Sequence, residues 1–181
     1  YALGIDDVEV TNQKGPKAIS NLTVTPGENG ALSATLTWKN PQTDGTGTDI
    51  MGELAIGIYR DNKLLTAITE NVTPGGTSSY TDTSMDNGMH TYSVIAKTGE
   101  GQSKAISKRA YIGEDVPAEV ENLNAYVSEG QTRITWNAPT KGMNKGYINT
   151  ENLTYTVERK TDNGTEVIAE GIKERQYTDK V

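Results

Sequence analysis

Leu36-Thr37-Trp38 is written a second time as Ile134-Thr135-Trp136, and the landmarks on either side return in step. Asn21-Leu22 ahead of the first phrase is answered by Asn122-Leu123, and Pro41 behind it by Pro139. Further on, Arg60 is answered by Arg159, and Tyr80-Thr81-Asp82 returns letter for letter as Tyr177-Thr178-Asp179. The offsets between partners run from 97 to 101, so two units of about 100 residues share one plan. That period exceeds the roughly 20–50 residues of stacked solenoid repeats. It suits an independently folded two-sheet domain.

Around the first phrase, Leu32, Ala34, Leu36 and Trp38 alternate with polar residues, which puts them on one face of a strand. Before it, Leu22 and Val24 form a shorter strand ended by Pro26-Gly27. After it, a Gly-, Thr- and Asp-rich loop runs from Pro41 to Asp49. Leu54, Ile56 and Ile58 make a third strand, and Asp61-Asn62 is a tight turn into Leu64 to Ile68. Tyr80-Thr81-Asp82 is a fifth strand. Asp86-Asn87-Gly88 turns the chain into Tyr92, Val94 and Ala96, and Gly99-Glu100-Gly101 turns it into a last strand from Ser103 to Ile112. Seven strands are expected in this unit.

The second unit repeats the order. Leu123, Ala125 and Val127, then Ile134 and Trp136, then Leu153, Tyr155 and Val157 make its first three strands. Asp162-Asn163-Gly164 is a hairpin signal leading to Val167, Ile168 and Ile172, and Tyr177-Thr178-Asp179 follows. By the repeat, this unit lacks about 30 residues, its last two strands. A sandwich without them bares its core and leaves unpaired edges. Either the chain is a fragment, or a neighbouring chain lends strands. The candidate donor is Tyr1 to Val10, where Leu3, Ile5, Val8 and Val10 alternate with one slip at Asp6-Asp7. The expected organisation is a strand and linker over 1–16, a first domain over 17–115 and an incomplete second domain over 116–181. Gly113 to Pro117 is the joint.

Composition agrees with an all-β chain. Hydrophobic residues are 34%, Phe is absent and there are 19 glycines. Strands of thin two-sheet domains face inward only at every second residue, so they tolerate so few apolar residues. No long 3.6-residue period calls for a helix. Seventeen basic against 24 acidic residues leave a net charge of −7, which argues against nucleic acid, whose phosphates need Lys and Arg. No segment approaches the roughly 18 apolar residues of a membrane span. Tyr1 is not an initiator Met and no signal peptide precedes it, so a mature or trimmed piece is expected. Zero cysteines exclude disulfides, thiol nucleophiles and Cys-based zinc sites.

Each unit resembles a fibronectin type III domain. The resemblance is carried by the Pro16/Asn21-Leu22 opening, Trp38 on the second strand, the Tyr80-Thr81-Asp82 edge and Tyr92-x-Val94-x-Ala96-x-x-Gly99. It implies two tandem immunoglobulin-like β-sandwiches, with the Trp in the inter-sheet core and the Tyr92 hydroxyl closing one end. The Leu and Pro usual ahead of that Tyr are replaced here by Met85 to Gly88. Gly113-Glu114-Asp115-Val116-Pro117 and Thr135-Trp136-Asn137-Ala138-Pro139-Thr140-Lys141-Gly142 look like paired domains of bacterial secreted or surface proteins. The run Ile5 to Val10 resembles the closing strand of a preceding jelly roll. The implied function is a non-catalytic extracellular spacer or adhesin stalk, whose partners are other domains of the same protein, or a cell-surface protein or glycan. The alternative is an accessory or carbohydrate-binding module of a polysaccharide- or peptide-degrading enzyme.

No catalytic, cofactor or metal residue is assigned, and no cofactor is expected. The lone His90 has no Cys or second His to share a transition metal with. No nucleophile elbow such as G-x-S-x-G occurs. Asp6-Asp7 and the Asp44 to Asp49 loop have oxygen ligands for Ca²⁺ but not the spacing of a calcium loop. Asn21, Asn71, Asn152 and Asn163 each head an Asn-x-Thr sequon, which matters only in a eukaryotic secretory setting. No Arg-Gly-Asp triplet is present. Trp38 and Trp136 alternate with apolar neighbours and read as core. Tyr59, Tyr126 and Tyr147 are the exposed-aromatic candidates for stacking on a sugar, scattered over different elements.

Overall fold

The structure is a computed structural model that describes residues 14–180. The expectations placed on the Tyr1 to Val10 strand and on Asp6-Asp7 lie outside the described residues. The chain divides into two compact units. The first takes Leu32–Met85 and Met89–Ala110 with the described residues up to Gly27; the second takes Tyr111 onward with Glu28–Ala31 and Asp86–Gly88.

In chain order the first eight strands are β1 (Ser20–Pro26), β2 (Ala34–Lys39), β3 (Ala55–Arg60), β4 (Lys63–Ile68), β5 (Thr77–Asp82), β6 (Gly88–Thr98), β7 (Gly101–Gln102) and β8 (Ile106–Ile112). They form two antiparallel sheets. One has the order β1-β2-β5; the other has β4-β3-β6, with β7 and β8 both pairing with β6. Alternation along β2 produces the two faces. Leu36 and Trp38 are 0% and 1% exposed, while Thr37 and Thr35 turn outward. There the Thr37 hydroxyl meets Thr23 at 2.6 Å, and the Thr35 hydroxyl meets Thr81 at 3.2 Å. Ile56, Ile58, Tyr92, Val94 and Ala96 complete the core from the second sheet, all fully buried. Each large apolar side chain so enclosed contributes about 1.5–3 kcal/mol.

The repeated Asn-Leu landmarks have a backbone explanation. Asn21 takes φ 53° and Asn122 φ 52°, a left-handed kink that Asn tolerates better than most residues. Each kink coincides with a register shift in the first strand of its unit, so that Leu22 turns into the core. The turn at Asp61-Asn62 is left-handed at both residues, as a two-residue type I′ hairpin requires.

One strand expectation changes. The strand from Ser103 to Ile112 does not run unbroken, because Ser103 substitutes its side chain for the backbone ladder. Its amide donates to the Ala96 carbonyl at 2.9 Å. Its hydroxyl, rather than its carbonyl, accepts the Ala96 amide at 3.0 Å and donates to the Lys104 carbonyl at 2.8 Å. Pairing breaks over 103–105 and resumes as β8, so the described residues of this unit carry eight strands rather than seven.

The second unit contains β9 (Glu121–Ser128), β10 (Gln131–Asn137), β11 (Tyr155–Thr161), β12 (Gly164–Ile172) and β13 (Gln176–Lys180). The order β13-β10-β9 repeats β5-β2-β1, and β11-β12 repeats β3-β4. Leu153 stands just before β11, as Leu54 stands before β3. Trp136 is 5% exposed and meets the Tyr155 ring edge-on at 5.2 Å, which ties β10 to β11. Val157 and Ile148 are also buried, yet every residue of β9 is exposed. Among the described residues no strand pairs with β11 where β6 pairs with β3. Helical structure there is confined to two three-residue 3-10 turns, Glu28–Gly30 and Thr150–Asn152.

Candidate functional site

The polar side chains that penetrate these sandwiches fall into repeated clusters, and each cluster can be built from its strands. The first surrounds the tryptophans. Trp38 donates its indole N–H to Asn40 Oδ1 at 2.9 Å, and the Asn40 amide donates to the Thr73 carbonyl and the Ser78 hydroxyl at 3.0 and 2.9 Å. Asn40 is buried and fully used. In the second unit the corresponding residue two beyond Trp136 is Ala138, and the buried Trp136 Nε1 has no partner.

The second cluster bridges the two sheets. Arg60 at the end of β3 forms an ion pair with the buried Asp82 at the end of β5. Tyr92 on β6 donates its hydroxyl to the same Asp82 Oδ2 at 3.0 Å and reaches Met85 Sδ at 3.3 Å. The expected end-closing role of Tyr92 is therefore played on a carboxylate. Burial, with the Asp82 charge beside it, pushes the Tyr92 hydroxyl well above its ordinary pKa. Arg60 is held above its usual value: burial opposes the charge, but the Asp82 hydrogen bond and charge outweigh it. In the second unit Arg159 pairs with Asp179 at 3.0 Å and with Glu166 at 3.0 Å. The landmarks shared by the two halves, Arg60/Arg159 and Asp82/Asp179, are thus one ion pair written twice.

The third cluster holds a loop. In the first unit Asp44 Oδ1 accepts the amides of Thr46 and Thr48, each at 2.9 Å, and the Thr46 hydroxyl at 2.6 Å. The Thr46 hydroxyl leads in holding the Asp44 carboxyl below its ordinary range. In the second unit the position of Asp44 is Gly142, and the carboxylate comes from Asp115 instead. Asp115 Oδ2 accepts the amides of Asn144 and Gly146 at 2.8 and 3.1 Å; Oδ1 accepts the Val116 amide and the Asn144 side chain at 2.8 and 2.9 Å. Burial works to raise the Asp115 pKa, but these donors win and lower it. A Cβ on Gly142 would lie 2.3 Å from the Asp115 carboxyl, so the glycine makes room for the substitute. Sequence reading missed Asp115; the available signal was Gly142 standing where the first unit has Asp44.

The residues weighed for binding do not converge. His90 Nδ1 lies 2.7 Å from Asp61 Oδ2, whose other oxygen accepts the Thr91 amide at 2.8 Å. That pair ties the β3–β4 turn to β6. Tyr59 is half-buried on β3 under the Lys97 ammonium, 5.9 Å from its ring centre. Tyr126 is 61% exposed on β9, and Tyr147 lies in the loop before the second 3-10 turn. Asn21, Asn71, Asn152 and Asn163 are all exposed. Among the described residues no three His, Cys, Asp or Glu side chains are grouped to hold a metal. No helix there is long and apolar enough to cross a membrane.

The strand order β1-β2-β5 facing β4-β3-β6, repeated as far as it extends in the second unit, makes these tandem immunoglobulin-like sandwiches of fibronectin type III form. The chain is similar to three solved structures. One is an FN3tt mutant, at 19% identity, covering 54% of this chain and 96% of that one, with a TM-score of 0.39. The second is the chicken CNTN1 FN1-FN3 domains, at 14% identity, 90% and 56% coverage and 0.41; this chain spans just over half of that segment. The third is a two-domain segment of chicken tenascin, at 14% identity, 90% and 82% coverage and 0.37. No protein-family profile matches the chain, and no curated protein matches it in sequence.

Proposed function

We propose that the chain is a non-catalytic structural and interaction module, a spacer or adhesin stalk within a larger secreted or surface protein of bacterial type. Its two modules are 17–115 and 116–181. The observation that supports this reading most is where the hydrogen-bonded acid groups go, two of them buried and Asp44 in a more open loop. Asp44, Asp82 and Asp115 accept hydrogen bonds from their own unit's loops and strands, so their chemistry is spent on shape. Sandwich modules joined by short segments set distance between other domains at little cost in flexibility. Partners are then the other domains of the parent protein, or a cell-surface protein or glycan, outside the cell.

The test is the purified chain on a glycan array and over immobilised cell-surface extracts, with the parent reading frame determined alongside. The spacer reading expects no glycan retained and further domains encoded beside this one. Glycan capture that is lost in Tyr126→Ala, the most exposed tyrosine of the candidates, overturns it in favour of a carbohydrate-binding module.

A further inference from the structure

Asn-Gly is written three times, as Asn29-Gly30, Asn87-Gly88 and Asn163-Gly164. A backbone nitrogen that follows Asn can attack the Asn side-chain carbonyl, and glycine, with no Cβ, crowds that approach least. All three asparagines are exposed. As sequence the three are equivalent; as structure they are not.

Asn29 stands at φ 53° and ψ 34° within the first 3-10 turn. In that left-handed backbone the next nitrogen lies on the far side of Cα from the side chain, so Cγ cannot reach it. The turn is also held in place. The Ala31 amide donates to the Glu28 carbonyl at 3.0 Å, and a Cβ on Gly30 would lie 2.9 Å from the Tyr147 ring. At the second pair, Asn87 Nδ2 donates to the Glu114 carbonyl at 3.0 Å, a bond that loss of this nitrogen must break.

Asn163 meets neither restraint. Its φ is negative, and its carboxamide has no partner among the described residues. Nothing lies within 4 Å of where a Cβ on Gly164 would stand. Gly164 is the last rung of the β11–β12 hairpin, opposite Thr161. The side-chain bonds that brace this tip are long: the Asn163 amide donates to the Thr161 hydroxyl, and that hydroxyl donates to the Gly164 carbonyl, both at 3.3 Å. A terminal rung braced so weakly opens ahead of the rest of the hairpin.

We infer that Asn163 is a self-modification site, at which the folded chain deamidates to isoaspartate and aspartate with water as the only co-reactant. The Gly164 nitrogen bonds to Asn163 Cγ and gives its proton to solvent, and Nδ2 leaves as ammonia, closing a succinimide. Water then opens the ring. Cleavage of the bond from nitrogen to Cγ yields aspartate; cleavage of the bond from nitrogen to the main-chain carbonyl carbon yields isoaspartate. Nothing is oxidised or reduced. Either product places a new carboxylate beside Asp162, and isoaspartate adds a carbon to the backbone of a turn whose length sets the hairpin register.

The test is to age the full chain in mildly alkaline buffer and follow the peptides that carry each Asn-Gly by mass spectrometry resolving isoaspartate from aspartate. In the folded chain Asn163 is expected to react about tenfold faster than Asn87, the factor that one retained hydrogen bond is worth, and faster still than Asn29. In concentrated urea, where the sequence alone distinguishes them, the three rates are expected to converge. Asn163→Gln, whose carboxamide would have to close a larger ring, is expected to leave the position unmodified over the same period. Equal rates at the three sites in the folded chain overturn the inference, as does an aged chain that keeps Asn at 163. So does the same ordering in urea, which assigns the difference to neighbouring residues rather than to the fold.

Discussion

Tyr92 donates its hydroxyl to Asp82 across 3.0 Å, from a strand of one sheet to the last residue of a strand in the other. With Arg60 on the same carboxylate oxygen, the contact closes the sandwich where β3 and β5 end. Tyr92→Phe keeps the ring packing and removes one donor from a buried carboxylate, a loss of about 1–3 kcal/mol. Arg60→Met removes the charge partner and costs about 3 kcal/mol, the low end for a broken buried pair because Arg60 is partly solvated. Urea unfolding of the first unit, followed through Trp38, checks both; equal midpoints for wild type and Tyr92→Phe would refute the role.

Ala138→Asn transplants the Asn40 arrangement to the second unit. A donor–acceptor pair for the buried Trp136 Nε1 is expected to stabilise that unit by about 1 kcal/mol. The reciprocal Asn40→Ala strips three hydrogen bonds from the first unit and lowers its stability by about 1–3 kcal/mol. Thermal melts of the two variants should move in opposite directions.

The Asp115 clamp makes an exchange experiment possible. Gly142→Asp alone drives a second carboxylate into the first and is expected to destabilise the second unit by at least about 3 kcal/mol. Asp115→Ala alone orphans the Asn144 and Gly146 amides. Together the two changes rebuild the Asp44 form of the loop, so the double variant should be more stable than either single one. A double-mutant cycle by chemical denaturation measures this.

Acid should loosen the same loop. The folded Asp115 carboxyl titrates below its ordinary value of 3.8. A group depressed in the folded state contributes its stability in full above the unfolded value and loses it as pH falls through the folded one. Protection of the Asn144 and Gly146 amides, measured against their intrinsic exchange, is therefore expected to be full above the ordinary carboxylate range and to fall as pH drops through the lowered folded value. In Asp115→Asn that pH dependence should vanish.

What could be read in advance follows the range of the interactions. The alternation around Trp38 and Trp136, the Asn-Leu kinks and the hairpin at Asp61-Asn62 depend on neighbours within a few residues, and all are visible as spacing. Arg60 and Asp82 were visible only as landmarks. Their pairing joins strands of opposite sheets 22 residues apart, and no local pattern declares a partner at that distance. Asp115 was harder still, since its function is intelligible only once its carboxylate is seen on amides 29 and 31 residues away. Ser103 misled for the opposite reason: a residue ordinary within a strand pattern used its hydroxyl against the ladder.

Each unit holds one of the chain's two tryptophans, and the indole N–H of one is engaged while that of the other is not. A proton in a hydrogen bond is deshielded, so the two side-chain resonances of an otherwise unlabelled sample should separate, Trp38 downfield of Trp136. The molecule thereby carries its own pair of spectroscopic channels. Heated or titrated as one chain, it reports the melting of each half independently.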